Sequence, residues 1–256
     1  MGGDLIISTA TLMGFLLTLA RVAGVFVFVP MPGLSSVINP ARVMLAFSIT
    51  IALFPQWPQI HQYPSAGMLV MWLIAEAALG IGIGLAVAFV TEAFTMGAQI
   101  MSLQAGYSFA STFDPNTQAD SGVLVVLTQI SAGMLFFATG LDRAVIRVFA
   151  RSLETYPAGS FVLTRGGVTQ VLAAGSTMFS TGLRLALPII AVMVMIDISL
   201  ALLGRVNAQL HLTTVAFPVK MLVCLTMLGW LATLFPVLFR AQSGIAMNLA
   251  ERIITR

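Results

Sequence analysis

The sequence is poor in charge and in the residue types that build most active sites. Charged residues make up 8% of its 256 positions, far below the roughly 25% of a soluble domain. Its one cysteine, Cys224, excludes an internal disulfide and a thiolate metal cluster. The two histidines, His61 and His211, lie far apart with no second ligand type nearby. We therefore expect no metal and no cofactor.

Catalytic and nucleic-acid-binding motifs are also missing. The sequence has no Ser–His–Asp motif, no HExxH and no phosphate-binding loop. The glycine run at residues 80–84 follows a helical pattern and not a strand, so it fails the context test for dinucleotide binding. The net charge of +3 comes from scattered arginines without a basic run, which indicates membrane orientation and not a nucleic-acid partner. We predict a protein that is not an enzyme.

Apolar residues dominate instead. They make up 59% of the chain, and the mean hydropathy is +1.00. Because about 20 apolar residues cross a bilayer, the apolar blocks allow about five or six crossings. We predict an all-α polytopic membrane protein, a single membrane domain over residues 1–256 with about six long, partly kinked helices. The expected helices lie near residues 5–29, 40–54, 67–99, 123–137, 168–203 and from residue 217 onwards.

Prolines and charges refine this layout. Pro188, Pro218 and Pro236 are candidate kinks. The first apolar block is longer than the apolar region of a signal peptide, so we expect it to stay as the first helix. With six crossings, the linker at residues 143–165 and the C-terminal tail fall on one side. They carry four and three arginines, seven of the twelve basic residues, so the positive-inside rule makes that side cytoplasmic.

A polar stretch at residues 99–122 interrupts the apolar blocks. It combines Ser, Thr, Gln and Asn with two of the nine acidic residues and with turn-forming Asp–Pro and Ser–Gly pairs,. Non-helical backbone survives at membrane depth only inside protein or beside water. We therefore predict a re-entrant or pore-lining loop near residues 104–122, held between two helices.

Two further sets of residues stand out within the apolar helices. Ionisable residues at a helix centre cost about 2.5–3.5 kcal/mol if they face lipid, so they should face protein, water or each other, either as ion pairs between helices or subunits or as a proton relay. These intramembrane charges are Arg21, Glu76, Arg184, Asp197 and Lys220. Glycines inside an apolar helix let another helix approach closely, which predicts helix-packing positions at Gly80, Gly82 and Gly84.

An ordered set of short motifs resembles the FliR family, the export-gate proteins of the flagellum and their injectisome counterparts. The motifs extend over nearly the whole chain. They are Pro40 with Arg42-Val43, Gln104, Gly106 to Ala110, Asp114-Pro115, Leu135-Phe136-Phe137 with Gly140, Pro157 with Gly159, Ala186-Leu187-Pro188, Leu202-Leu203-Gly204-Arg205 with Gln209-Leu210, and Phe217-Pro218-Val219-Lys220.

The resemblance implies a non-catalytic part of a type III protein-export gate in the bacterial inner membrane. It implies helices and a plug loop like those of the P subunit over residues 1–122, and a Q-like C-terminal hairpin within residues 123–256. The implied partners are P-type and Q-type gate subunits, the B-type switch subunit, unfolded protein substrates and membrane lipid. The residues implied to plug the pore are Gly106, Tyr107, Ser108, Phe109, Ala110, Ser111, Thr112, Phe113, Asp114 and Pro115.

A secondary transporter with broken helices around a midplane site is the alternative. Such transporters are commonly built from two similar halves. The two halves of this chain share neither the glycine run nor the polar loop, so the sequence favours the export gate.

Overall fold

A computed structural model describes residues 8–30, 40–58, 60, 64–107, 122–157, 159–161, 165–206 and 212–254. Within these ranges all regular secondary structure is helical, so the predicted all-α fold is confirmed. The α-helices are α1 Thr9–Phe28, α2 Pro40–Ala52, α3 Ala66–Ala105, α4 Val123–Ala138, α5 Leu141–Thr155, α6 Arg165–Val206, α7 Leu212–Ala232 and α8 Phe235–Ile254. A short 3-10 turn, Phe54–Gln56, follows α2.

The helices have the lengths of a polytopic membrane protein, as predicted. In the described part of the chain, α1, α3 and α6 are each long and apolar enough to cross a membrane. The pairs α4–α5 and α7–α8 are each bent by 61° and add two spans if each pair counts as one. With 13 residues, α2 extends about 20 Å and is too short to cross the membrane. The prediction of six crossings, on which the orientation of the chain was based, included this helix.

The prolines act differently from one another. Pro188 lies inside the continuous helix α6 and Pro218 inside α7. Pro236 is the second residue of α8, just after the break between α7 and α8, where a missing N–H group leaves no hydrogen bond unmade. Of the three candidate kinks, only Pro236 coincides with a break between helices.

The chain divides into two compact units. Unit 1 comprises Met1–Phe89, Phe136–Gly175 and Ser243–Arg256, and unit 2 comprises Val90–Leu135 and Ser176–Gln242. Buried apolar side chains of unit 1 include Leu17, Val22, Leu79 and Ile83. Those of unit 2 include Phe94, Leu124, Met193 and Phe239, and the Phe94 ring packs 5.5 Å from that of Phe239.

Glycines bring the backbones of α1 and α3 together in unit 1. A Cβ atom added at Gly80 would overlap the Arg21 carbonyl oxygen, and one at Gly84 would lie 2.6 Å from the Val25 carbonyl oxygen. Gly24 on α1 is equally confined, with the Ala77 carbonyl oxygen 2.5 Å from the added atom. Only glycine permits so close an approach of two helices.

Gly82 has a different environment. An added Cβ would lie 3.7 Å from Ile253 Cδ1, an ordinary contact distance, so the space beside Gly82 accepts a methyl group. Gly82 faces a side chain of α8, whereas Gly80 and Gly84 face the backbone of α1.

This contrast predicts the effects of alanine at the three positions. Gly80→Ala and Gly84→Ala should each cost about 1–3 kcal/mol through overpacking. Gly82→Ala is the matched control and should be neutral or stabilising, because alanine has the better helix propensity. Thermal denaturation in detergent, followed by size-exclusion chromatography, measures the stability of the three variants. Equal shifts in all three would contradict a role for Gly80 and Gly84 in backbone contact.

Candidate functional site

The polar loop begins at a well-defined helix end. Gly106 follows the last residue of α3 and has a φ of +82°, in the left-handed region that favours glycine. Its N–H donates to the Leu103 carbonyl at 3.2 Å, and the Tyr107 N–H donates to the Ser102 carbonyl at 3.0 Å. These two bonds form a Schellman motif, which satisfies carbonyls left free at a helix C-terminus.

Helix α7 holds this helix end in unit 2. The Tyr107 hydroxyl donates to the Met221 carbonyl at 3.0 Å. The Phe217 ring lies so close to Gly106 that an added Cβ would be 2.8 Å from its Cδ1 atom. The buried Cys224 thiol lies 3.8 Å from the Met101 carbonyl. We call Gly106, Tyr107, Phe217 and Met221 the loop anchor.

The far end of the loop returns to the same place. A Cβ added at Gly122, just before α4, would lie 2.5 Å from the Ser102 hydroxyl oxygen and 4.0 Å from the Tyr107 Cβ. The chain therefore leaves α3 and re-enters α4 at adjacent positions. Of the residues expected to form the plug, Gly106 and Tyr107 belong to the anchor. Ser108, Phe109, Ala110, Ser111, Thr112, Phe113, Asp114 and Pro115 lie outside the described residues.

The structure places Arg21 of α1 against Glu76 of α3 in unit 1. The Arg21 Nε atom donates to Glu76 Oε2, and each side chain is only 1% exposed. Removing either partner of a buried ion pair leaves an uncompensated charge, which is strongly destabilising.

Main-chain groups complete this pair. Arg21 Nη1 donates to the Ser152 carbonyl at 2.7 Å, and Nη2 donates to the Tyr156 carbonyl at 3.0 Å. The Gly159 N–H donates to Glu76 Oε1 at 3.0 Å. The cation thus caps the C-terminal end of α5, where the helix dipole favours positive charge. The pair ties α1 and α3 to the connection between α5 and α6.

A second ion pair lies in unit 2 between Asp197 of α6 and Lys220 of α7. It is less enclosed than the first, since the Lys220 side chain is 14% exposed and the Asp197 side chain is 50% exposed. Lys220 lies two residues after Pro218, within the same helix. The structure therefore gives Lys220 an acidic neighbour on a different helix.

Arg184 differs from the other intramembrane charges. It lies exposed on α6, and no described acidic residue pairs with it. Glu92 of α3 is a comparable exposed acid that sequence reasoning did not single out as a site, although it lies in an apolar helix. In unit 2, these two charges are presented on the outside of the described structure.

The described residues offer no metal site, because they contain no group of three or more His, Cys, Asp or Glu side chains that could hold an ion. Several residues around the charges were missed from the sequence. Ser152 and Tyr156 contribute mainly backbone carbonyls, which carry no sequence signal. Gly159 belongs to the motifs of the family resemblance, but its N–H contact with Glu76 was not predicted. Gly24 lies within an apolar helix, where its spacing from other glycines gives no motif.

Known proteins identify the family. The family described as "Bacterial export proteins, family 1" matches residues 12–244. The chain belongs to this family. The match covers α3, the loop anchor, α4, α5, α6 and α7 in full, so the described geometry falls almost entirely within the family region.

Relatives in distant bacteria carry one name. The flagellar biosynthetic protein FliR of Escherichia coli (strain K12) is 28% identical over 238 residues, which cover 93% of this chain and 91% of that protein. The FliR of Pectobacterium carotovorum subsp. carotovorum is 28% identical over 85% of this chain and 84% of its own length. That of Bacillus subtilis (strain 168) is 22% identical, with 84% of each chain covered. The resemblance to the FliR family is confirmed.

The Asp197–Lys220 pair gives a test of a structural role against a proton relay. Lys220→Met should lower the yield of assembled complex, and adding Asp197→Asn should restore part of the loss in a double-mutant cycle. The loss should be smaller than for a buried pair, because Asp197 is half exposed,. Yield is measured by size-exclusion chromatography. Full assembly with transport that no longer depends on the proton gradient would instead support a relay.

Proposed function

We propose that this protein is a non-catalytic component of a type III protein-export gate in the bacterial inner membrane, serving a flagellum or an injectisome. In this proposal it lines the channel for unfolded protein substrates, and the segment from Gly106 to Pro115 plugs the pore. The family match and the names of the relatives support the export role.

The loop anchor is the structural observation that best supports a plug at this position. A plug must stay in place between two apolar helices. This requires that the end of the preceding helix be fixed in position. Gly106 and Tyr107 supply this point through the Schellman motif and the bond to Met221. The return of the chain at Gly122 beside Ser102 keeps both ends of the loop at one position.

The outward charges support assembly with other subunits. Exposed Arg184 and Glu92 on apolar helices are costly against lipid, so each fits a partner of opposite charge. By the resemblance, those partners are the P-type and Q-type gate subunits and the B-type switch subunit. We propose P-like helices over residues 1–122 and a Q-like C-terminal hairpin within residues 123–256, in one membrane domain.

Purification from native membranes tests the proposal. The tagged chain should elute in a large hetero-oligomer with P-type and Q-type subunits, and Arg184→Leu combined with Glu92→Leu should shift it towards smaller species. Unchanged thermal stability of the isolated double variant would show that the shift reflects lost subunit contacts and not general loss of fold. A chain that elutes alone or as a small homo-oligomer would instead favour the secondary transporter, which lacks support from the family match.

A further inference from the structure

Unit 1 contains an open, mostly apolar cavity of about 500 Å³ that the export function leaves unexplained. Its walls come from the first half of α3, the connection between α5 and α6, the first turns of α6 and the last turn of α8. The volume lies within the range of about 300–1,000 Å³ typical of small-molecule sites. The cavity is large enough to hold a ligand of its own.

The cavity has an apolar side that faces outward. Val168 and Leu172 of α6 line it and are 41% and 68% exposed. Tyr156 and Phe161 line it from the α5–α6 connection, with their rings edge to face at 5.6 Å. In a membrane protein, an apolar cavity with exposed apolar walls is accessible to lipid tails, and tyrosine is a residue that favours the membrane boundary.

Polar groups lie at the same cavity. Arg252, in the last turn of α8, lines it and is exposed. Gln170 also lines it, and its buried Oε1 atom has no hydrogen-bond partner among the described residues. A buried acceptor without a donor is unfavourable. Rotation of the Gln170 amide would turn this oxygen towards the cavity, where a ligand hydroxyl could donate to it.

More arginines flank the cavity in sequence. Arg165 begins α6, two residues before the cavity-lining Gly167, and Arg143, Arg147 and Arg151 form an exposed row along α5. None of these four, nor Arg252, forms an ion pair with a described carboxylate. Helix ends rich in basic residues attract anionic lipid head groups, by about 1 kcal/mol per residue on average.

We propose that this cavity binds one anionic phospholipid, with an acyl chain against the apolar walls and the phosphate beside Arg252. A head group with free hydroxyls, such as that of phosphatidylglycerol, also offers a donor to Gln170. Charge complementarity and the outward apolar wall together select this occupant. A soluble phosphate compound would leave the apolar walls without a partner. A zwitterionic lipid such as phosphatidylcholine would place its own cation near Arg252 and has no head-group hydroxyl to donate to Gln170.

Native mass spectrometry of the purified full-length chain tests the proposal. The protein in detergent is mixed with equal amounts of phosphatidylglycerol and phosphatidylcholine, and retained lipid is counted. We expect one tightly retained phosphatidylglycerol per chain. Arg252→Gln should reduce the preference for phosphatidylglycerol about fivefold, the factor that one arginine provides near an anionic surface. Arg240→Gln, an exposed arginine of the same helix that does not line the cavity, is the matched control and should keep the preference.

A side chain that fills the cavity tests whether the lipid acyl chain binds there. Gly82 lines the cavity and has room for a side chain, so Gly82→Leu should reduce retention of both lipids. If this variant misfolds, the retention of the two lipids by the unmodified protein still tests the proposal. Equal retention of the two lipids by the unmodified chain would overturn the proposal. So would unchanged retention in a folded Gly82→Leu variant, or a crosslinker at Leu172 that captures protein and not lipid in the membrane.

Discussion

Replacing Arg21 with methionine should sharply reduce the amount of folded protein. The substitution leaves the Glu76 carboxylate buried without its cation, and it leaves the Ser152 and Tyr156 carbonyls without their donor. Breaking a buried ion pair in this way costs about 3–5 kcal/mol, a large part of the stability of a typical domain. We expect most of the chain to aggregate or to be degraded before purification.

A second substitution separates charge from packing. Glu76→Gln removes the buried charge but keeps an oxygen that can accept from the Gly159 N–H. The double variant Arg21→Met with Glu76→Gln should therefore recover part of the yield, as a double-mutant cycle measures. Arg184→Met is the matched control, because Arg184 is also in an apolar helix but is exposed. Full stability of the single Arg21→Met variant would show that the pair has no structural role.

Valine at Gly106 should loosen the proposed plug. A β-branched residue at a φ of +82° is strained, by about 1–2 kcal/mol, and its Cβ would meet the Phe217 ring at 2.8 Å, which adds overpacking of about 1–3 kcal/mol. These costs fall on the anchored conformation and should lower its population at least tenfold. Uptake of a small fluorescent solute by cells that produce the gate should rise.

Gly140 offers a control with the same backbone strain. Its φ is +72°, but nothing lies within 4 Å of an added Cβ, so Gly140→Val adds strain without a clash. This variant should lose some stability without a rise in solute uptake. Equal uptake in both variants would mean that leakage reflects general destabilisation and not release of the loop.

The sequence could predict which charges need partners, but not their identity. The cost of an ionisable group in lipid indicated that Arg21 and Glu76 should face protein, water or each other. Which acid meets which base depends on how distant segments fold together, since Arg21 and Glu76 are 55 positions apart. Apart from the Ser152 hydroxyl oxygen, which lies 3.2 Å from Arg21 Nη1, the remaining partners are backbone carbonyls and an N–H, groups that depend little on residue type.

The spacing of the glycine run contained more information than the prediction of three packing glycines drew from it. Residues four apart lie on one face of a helix, and residues two apart lie on nearly opposite faces. Helical spacing therefore separates Gly82 from Gly80 and Gly84, and the structure gives the three glycines different neighbours in that way. Their partner Gly24 could not be found similarly, because the other glycine of α1, Gly14, lies ten residues away and the two do not form a close-packing motif.

The helix breaks were less predictable than the helices. Apolar blocks placed every long helix, since burial in lipid or protein requires continuous backbone hydrogen bonding. Proline alone did not determine where a helix ends, because Pro188 and Pro218 lie within continuous helices. A membrane helix tolerates proline when neighbouring groups satisfy the freed carbonyl, and this depends on packing that the sequence does not display.

Single-channel conductance of the assembled gate shows whether residues 108–121 close the pore. Because Tyr107 and Gly122 lie side by side, two glycines, which with their flanking bonds reach about 10 Å, can replace residues 108–121 without moving α3 or α4. The purified complex, checked for its full size, is placed in a planar bilayer. We expect a closed channel for the unmodified gate and a continuous ion current for the loopless one. A loopless complex of full size that stays closed would contradict the plug.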